Sequence, residues 1–421
     1  MDKKPERLVP EVRFKGFTDD WEQHKLDALA KFSKGKGYSK KDVTFQGYPL
    51  FLYGRLYTNY SEVVSDVDTY TSNLLEGSAV SNADEVVLPD SGETAEDIAR
   101  ASWINKKGII LGGGLLIIHP DKYLINSGFL SYSLSYGSNH KKLSSYAQGK
   151  SIVHIHSNDL KKLYIFYPSR FNEQSKIFNI LNYLENLITL QQRKLDQLKQ
   201  LKTAMLQQLF VNKNYKQPIL RFKNFNGNWE KRKFSELATI RRGLTYKPKD
   251  VRECGKNSKR VLRSSNINEN SFVIYNDDVF VDKSSINIAY VHNNDILITA
   301  ANGSSKLVGK HALIHDIPDN SAVHGGFMLL ASSNNPEFIN ALMSSPWYSR
   351  FVNNYVIGGN GAIGNLKKDD LDSQIIYTPI KNEIKKIGHF FNRLDNLIAL
   401  QQNKLTQLTT LKKYLLQKLF I

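Results

Sequence analysis

Cysteine is almost absent from this 421-residue chain. The one thiol, Cys254, excludes an intramolecular disulfide and suits a reducing compartment. Long apolar runs are absent too: the longest, GIILGGGLLII at 108–118, is too short to span a bilayer. The start, MDKKPERLVPEVRF, has no apolar h-region, so the expectation is no signal peptide, no membrane and a cytoplasmic location. Lys and Arg are missing between Leu56 and Ala99, where ten carboxylates accumulate. That acidic stretch is expected to face away from any polyanion.

Complete catalytic motifs are missing as well. GNGAIG (359–364), with Glu383 about 20 residues on, has dinucleotide-site spacing, but no helix of sufficient length separates it from the next apolar run. GSSKLVGKH (303–311) puts five residues between its glycines and His311 where a phosphate loop needs Ser or Thr. SSYAQGKS (144–151) has Ser144 in place of the first glycine. HALIH (311–315) lacks the Glu base of a zinc hydrolase, and His154 with His156 finds no further metal ligand. NPEF (335–338) echoes an adenine-methyltransferase motif but breaks it at Glu337. With no nuclease carboxylate–lysine cluster either, the chain is expected to be non-enzymatic, with no cofactor and no metal of its own.

Positive charge is plentiful and uneven. Residues 1–211 hold 27 Lys and Arg against 23 Asp and Glu, and residues 212–421 hold 30 against 17, within a total of +17. Such a balance favours a polyanionic partner, nucleic acid first.

The chain is a tandem repeat. VRFKGFTDDWEQHKLDALA (12–30) returns as LRFKNFNGNWEKRKFSELA (220–238), identical at 9 of 19 positions. LENLITLQQRKLDQLKQLKTAMLQQLF (184–210) returns as LDNLIALQQNKLTQLTTLKKYLLQKLF (394–420), identical at 17 of 27. Between these borders the middles, roughly 31–165 and 239–375, barely align. Two faint matches are KKGIIL (106–111) with NNDILI (293–298), and 149–160 with 361–371. Short β-rich runs mark both middles as α/β. Conserved borders around divergent centres suit two modules doing one job on two targets.

The repeated helices carry a heptad seam: Leu184, Ile188, Gln191, Leu195, Leu198, Lys202, Met205 and Leu209. The second copy gives Leu394, Ile398, Gln401, Leu405, Leu408, Lys412, Leu415 and Leu419. Gln and Lys interrupt both seams at matching places, which costs stability and fixes register. The two helices are expected to pair antiparallel within the chain, each spanning roughly 55 Å at 1.5 Å per residue. That is long enough to hold two readers on major grooves roughly 34 Å apart.

Basic and polar loops with interleaved aromatics remain as binding chemistry. In the first middle the candidate contacts are Lys34, Lys36, Tyr38, Ser39 and Lys40, with Asn139, His140 and Lys141. In the second they are Arg241, Arg242, Tyr246, Lys247, Arg263, Ser264, Asn266, Asn302, Ser304 and Lys306. Arg can read guanine bidentately, Asn adenine, and Lys can neutralise phosphate.

The whole chain resembles the specificity subunits of type I restriction–modification systems. The resemblance is carried by RFKGFTDDW and RFKNFNGNW, by YPSRFNEQSKI (167–177) and YTPIKNEIKKI (377–387), and by the two LIxLQQxKLxQL helices. Pro168 with Glu173 and Pro379 with Glu383 look like the family's proline-then-Glu approach to each helix, although Ile384 replaces Gln174 in the second copy. The resemblance implies an α+β chain: two tandem α/β target-recognition domains separated by two long helices in an intramolecular antiparallel coiled coil, pseudo-two-fold symmetric. The expected segments are 1–20, domain 21–170, helix 171–212, linker 213–228, domain 229–378 and helix 379–421. It implies double-stranded DNA with a bipartite target, two methyltransferase subunits and restriction subunits as partners. S-adenosylmethionine, ATP and magnesium would belong to those partners. The rivals are a coiled-coil scaffold without DNA readout and a self-sufficient restriction–modification enzyme.

Overall fold

A computed structural model describes residues 9–149, 151–212, 215–356 and 364–421. The chain divides into two compact units, Met1–Gln191 with Leu405–Ile421, and Gln192–Lys404. The GNGAIG run lies outside the described residues except for Gly364.

In the first unit, strand Glu22–Lys25 pairs antiparallel with Tyr164–Tyr167 and leads the chain into and out of the variable domain. A five-stranded sheet runs in the order Ala30–Lys34, Leu115–Pro120, Val86–Pro89, Ser102–Ile104, Val63–Val64. A four-stranded sheet runs Tyr70–Thr71, Tyr48–Phe51, Lys107–Leu111, Ala79–Asn82. The apolar run at 108–118 is continuous because its strands are buried on both faces. Leu116 and Ile118 enter the core around Phe129, whereas Leu115 and Ile117 enter a second cluster with Phe51 and Leu111.

The second unit repeats the plan. Glu230–Lys233 pairs antiparallel with Ile375–Thr378. One sheet runs Thr239–Arg242, Met328–Ser332, Ile296–Thr299, His311–Leu313, and another Val251–Arg252, Phe280–Asp282, Ser258–Leu262, Ala322–His324. Leu329 and Ala331 face one cluster, Met328 and Leu330 the other. HALIH begins as the strand His311–Leu313, not as a helix. NPEF opens the helix Pro336–Met343, with Phe338 in the core.

Topology corrects one of the faint repeats. Lys107–Leu111 belongs to the second sheet, so it does not correspond to Ile296–Thr299. The counterpart of Ile296–Thr299 is Val86–Pro89, and that of Lys107–Leu111 is Ala322–His324. Apolar strands of equal length are interchangeable by pattern; only sheet order separates them. The other match holds where described: Ile155 N–H donates to Asp90 O at 3.2 Å and Leu366 N–H to Ala300 O at 2.8 Å.

The border repeats form one construction twice. Arg13 makes a two-pronged pair with Glu173 at 2.7 and 2.9 Å, and Arg221 makes the same pair with Glu383 at 2.8 and 2.7 Å. Both glutamates are 1% exposed. Trp21 and Trp229, eight residues after Arg13 and Arg221, are buried as well. Lys176 lies over the Phe17 ring at 5.1 Å and Lys386 over the Phe225 ring at 5.7 Å. Gln174, fully buried, accepts from Asn126 N–H and donates to Leu124 O and Pro168 O. Its replacement Ile384 packs against the apolar core instead, so the departure from the repeat follows the neighbouring domain.

The long helices span Phe171–Gln208 and Lys381–Lys418, 38 residues each. Each is divided between the units, so each unit holds the beginning of one and the end of the other. In the first unit Phe178 shares a core with Leu419 and Phe420, and Glu185 further along pairs with Lys412. In the second, Phe391 lies 5.9 Å from Phe210, and Asp395 pairs with Lys202 at 2.5 Å. Partner numbers fall as helix numbers rise, so the pairing is antiparallel in both units. Every seam position is buried or half-buried. The polar seam lysines are thus the ion-pair partners Lys202 and Lys412. Burial raises the Asp395 carboxyl above its ordinary range against the pull of Lys202. No described helix is long and apolar enough to cross a membrane.

Candidate nucleic-acid interface

In the second unit four loops meet at one end of the sheets. Leu244 N–H donates to His324 O at 2.7 Å, and Gly325 N–H to Leu262 O at 2.9 Å. Ala300 and Ala301 N–H donate to Phe327 O at 2.9 and 3.0 Å, and Asn302 Nδ2 to Ser264 Oγ at 3.0 Å. These bonds bring 241–249, 262–266, 300–306 and 324–327 together. Gly243 is required by this approach: a Cβ there would sit 1.9 Å from Gly325 O. His324 lies beneath, its Nε2 3.3 Å from Arg241 O, and burial pushes its imidazole down to about 4. It is therefore neutral near pH 7 and adds no charge to the cluster.

The first unit builds the same cluster. Gly112 N–H donates to Phe51 O, Asp90 N–H to Gly114 O, and Gly113 N–H to Gly37 O, at 2.9, 2.9 and 2.8 Å. A Cβ on Gly35 would meet Gly112 O at 1.8 Å, as at Gly243. GYSKKD (37–42) and TYKPKD (245–250) form equivalent turns: Ser39 N–H donates to Asp42 Oδ2 at 2.7 Å, and Lys247 N–H to Asp250 Oδ2 at 2.8 Å. A concavity of about 950 Å³ opens beside the first turn, lined by Tyr38, Ser39, Lys40, Tyr53, Arg55 and Gly114 among others.

The candidate residues separate by burial. Lys34, Lys36, Ser39, Lys40, Arg242, Lys247, Arg263, Ser304 and Lys306 are exposed on these loops. None of their charges has an ion-pair partner among the described residues. Tyr246, Ser264 and Asn302 are half-buried at the cluster.

Others have their side chains engaged within the fold or stand away from these loops. Arg241 pairs with Asp295 at 3.2 Å because strand alternation turns it to the face opposite Arg242. Asn266, fully buried, accepts from Arg263 N–H and donates to Val273 O and Asp278 Oδ1. Tyr38 is buried in a left-handed backbone conformation (φ 47°); its hydroxyl accepts from Leu75 N–H at 2.7 Å and meets Ser78 Oγ at 2.8 Å. The 138–142 stretch is helix, not loop. Asn139 bonds Ser133 and both the N–H and C=O of Phe166, and His140 Nδ1 lies 3.2 Å from Leu134 O. Lys141 is exposed on that helix, whose Ser138 N–H donates to Ile421 O, away from the loop cluster.

Much of the acidic stretch is likewise engaged within its own unit. Asp68 binds Arg55, Asn59 and Tyr60, Asp66 pairs with Lys106, and Glu85 caps Asn82 N–H. Reading by composition missed Tyr53, Phe327 and the glycine pairs 112–113 and 325–326. The glycine run at 112–114 and the pair at 325–326, each on an apolar strand's approach, were the signal available; nothing in the spacing marks Tyr53 or Phe327. His154 and His156 stack at 6.5 Å, but no described group of three or more His, Cys, Asp or Glu could hold a metal ion.

Two basic loop clusters, each on its own α/β domain and each tied through an Arg–Glu clasp to a long helix, define a two-headed binding protein. The family model described as Type I restriction modification DNA specificity domain matches residues 18–200 and 226–410, and the chain belongs to that family. It is 21% identical over 416 residues to the type I restriction enzyme MjaVIII specificity subunit of Methanocaldococcus jannaschii, covering 95% of this chain and 92% of that one. It is 24% identical over 316 residues to the EcoKI specificity subunit of Escherichia coli, covering 72% and 67%. A crystal structure of the type I restriction–modification S subunit from M. genitalium shares the fold, with a TM-score of 0.66 at 16% identity over 98% of this chain and 99% of that one.

Proposed function

We propose that this chain is the DNA sequence-specificity subunit of a type I restriction–modification complex. Each domain reads one part of a bipartite duplex target, and the paired helices set the gap between the parts. One observation carries the reading: two equivalent loop clusters, built by the same turns, present different unpaired cations. Equal scaffolds with different tips suit one task on two sequences.

The helices support docking of two copies of one partner. Leu190 and Leu400 occupy equivalent positions and are 59% and 61% exposed; Leu201 and Leu411 are a second outward pair. Apolar side chains repeated on both helices, outside the seam, fit two identical methyltransferase subunits. Catalysis, with S-adenosylmethionine, ATP and magnesium, then belongs to methyltransferase and restriction subunits.

Mapping adenine methylation in the host genome, with this gene intact and deleted, tests the reading. Loss of a split motif on deletion is expected, and exchanging residues 239–375 for those of another such chain should change one part only. An unchanged methylation map, with the methyltransferase gene expressed, would leave the scaffold reading ahead.

A further inference from the structure

Phe327 stands 75% exposed at the centre of the second cluster. A lone exposed phenylalanine needs no explanation; its counterpart in the first domain gives this one a meaning. The bonds from Asp90 N–H to Gly114 O and from Ala300 N–H to Phe327 O make Gly114 the equivalent position. There the Tyr53 ring covers the site, since a Cβ on Gly114 would come within 2.6 Å of it. Tyr53 is 41% exposed. By the pairing of Gly112 with Phe51 and Gly325 with Leu262, the counterpart of Tyr53 is Ser264. Each cluster therefore holds a ring at the same place, supplied by a different segment: Phe327 in the second, and Tyr53 over Gly114 in the first. Cations flank the second ring: Arg263 borders Gly325, and Arg242 and Lys306 are exposed on the adjoining loops.

We propose that Phe327, and Tyr53 in the first domain, are the base-contacting rings of the two clusters. The inference rests on the DNA-specificity reading above. Phosphates satisfy the guanidinium and ammonium groups, and a phenyl ring gains nothing from them. Held between such cations, the ring meets what lies between the phosphate rows, the apolar edges and faces of the bases. Ring contact makes both domains specificity-determining at one position of each half-target.

The test uses the full chain with its methyltransferase subunits and the target duplex that methylation mapping identifies. Binding is measured across salt concentration on target and scrambled duplexes for Phe327→Ala, Phe327→Leu and Arg242→Ala. Phe327→Ala should lose about tenfold or more on the target, little on the scrambled duplex, and keep its salt slope. Phe327→Leu should lose less, and the methylation motif should relax in one part only. Arg242→Ala should weaken both duplexes and flatten the slope by about one unit. For the first domain, Tyr53→Phe should retain the half-motif that Tyr53→Ala relaxes. Unchanged target affinity and motif in Phe327→Ala, or equal loss on both duplexes with unchanged melting, overturns the ring assignment. A wild-type complex that does not distinguish target from scrambled duplex overturns the DNA reading instead.

Discussion

Burial decides the protonation of two histidines in the second unit. His311 lies among Asn340, Ser344 and the Tyr348 ring, and desolvation pushes its imidazole down to about 4, the same value as His324. The unfolded chain binds protons at these sites near pH 6.5, the folded chain only near 4. Stability contributed by the neutral form is therefore complete above the unfolded value and falls as pH drops from 6.5 towards 4. The loss should be on the order of 3 kcal/mol per fully buried site. Denaturant melts between pH 7 and 4.5 should show this slope, and His311→Gln should reduce it; a flat profile would contradict the burial argument. At this scale the sequence was half legible. Arg13, Arg221, Glu173 and Glu383 stood out as repeated residues, but nothing in their spacing shows that they clasp each other across 160 positions or more. Asn139 and Asn266 looked like base readers because a polar loop residue and an internal cap have the same letter.

At the scale of elements, the two units solve one packing contact in opposite ways. Gly128 on a short helix faces Phe178 on the long one, and a Cβ on Gly128 would lie 2.3 Å from that ring. In the second unit the long helix supplies the glycine, Gly388, whose added Cβ would stand 2.7 Å from Phe338 N and 3.1 Å from Glu337. Gly128→Ala should cost about 1–3 kcal/mol through overpacking, and combining it with Phe178→Ala should cost less than the two singles summed. Additive losses in a denaturant double-mutant cycle would refute the contact. The heptads made the helices and their pairing readable, because a 3.5-residue period has few other uses, and two copies within one chain pointed to the antiparallel arrangement. Sheet order was not readable: Val86–Pro89 and Lys107–Leu111 are both short apolar strands, and pairing partners are chosen by distant segments.

For the molecule as a whole, the proposed docking of two methyltransferase subunits on equivalent leucines of both helices makes a prediction. Leu190→Asp or Leu400→Asp alone should leave one methyltransferase subunit bound, and both together none. Native mass measurement of the reconstituted complex reads this directly; full occupancy in the double variant would remove the helix stripe from the docking surface. The repeat announced the doubling from the sequence, whereas the outward leucines became distinct from the seam only through their exposure. The division of each helix between units carries a further consequence, for synthesis. The first unit's core includes Leu416, Leu419 and Phe420, with the Phe420 ring 5.8 Å from Phe129 and Val12 N–H donating to Lys418 O. Those residues leave the ribosome only after the entire second unit, Gln192–Lys404, has been translated. At about 5–20 residues per second that is a wait on the order of 10–40 s. Throughout it the nascent first unit lacks the side chains that complete its core around Phe129 and Phe178, so its folding finishes only after the second unit has been made.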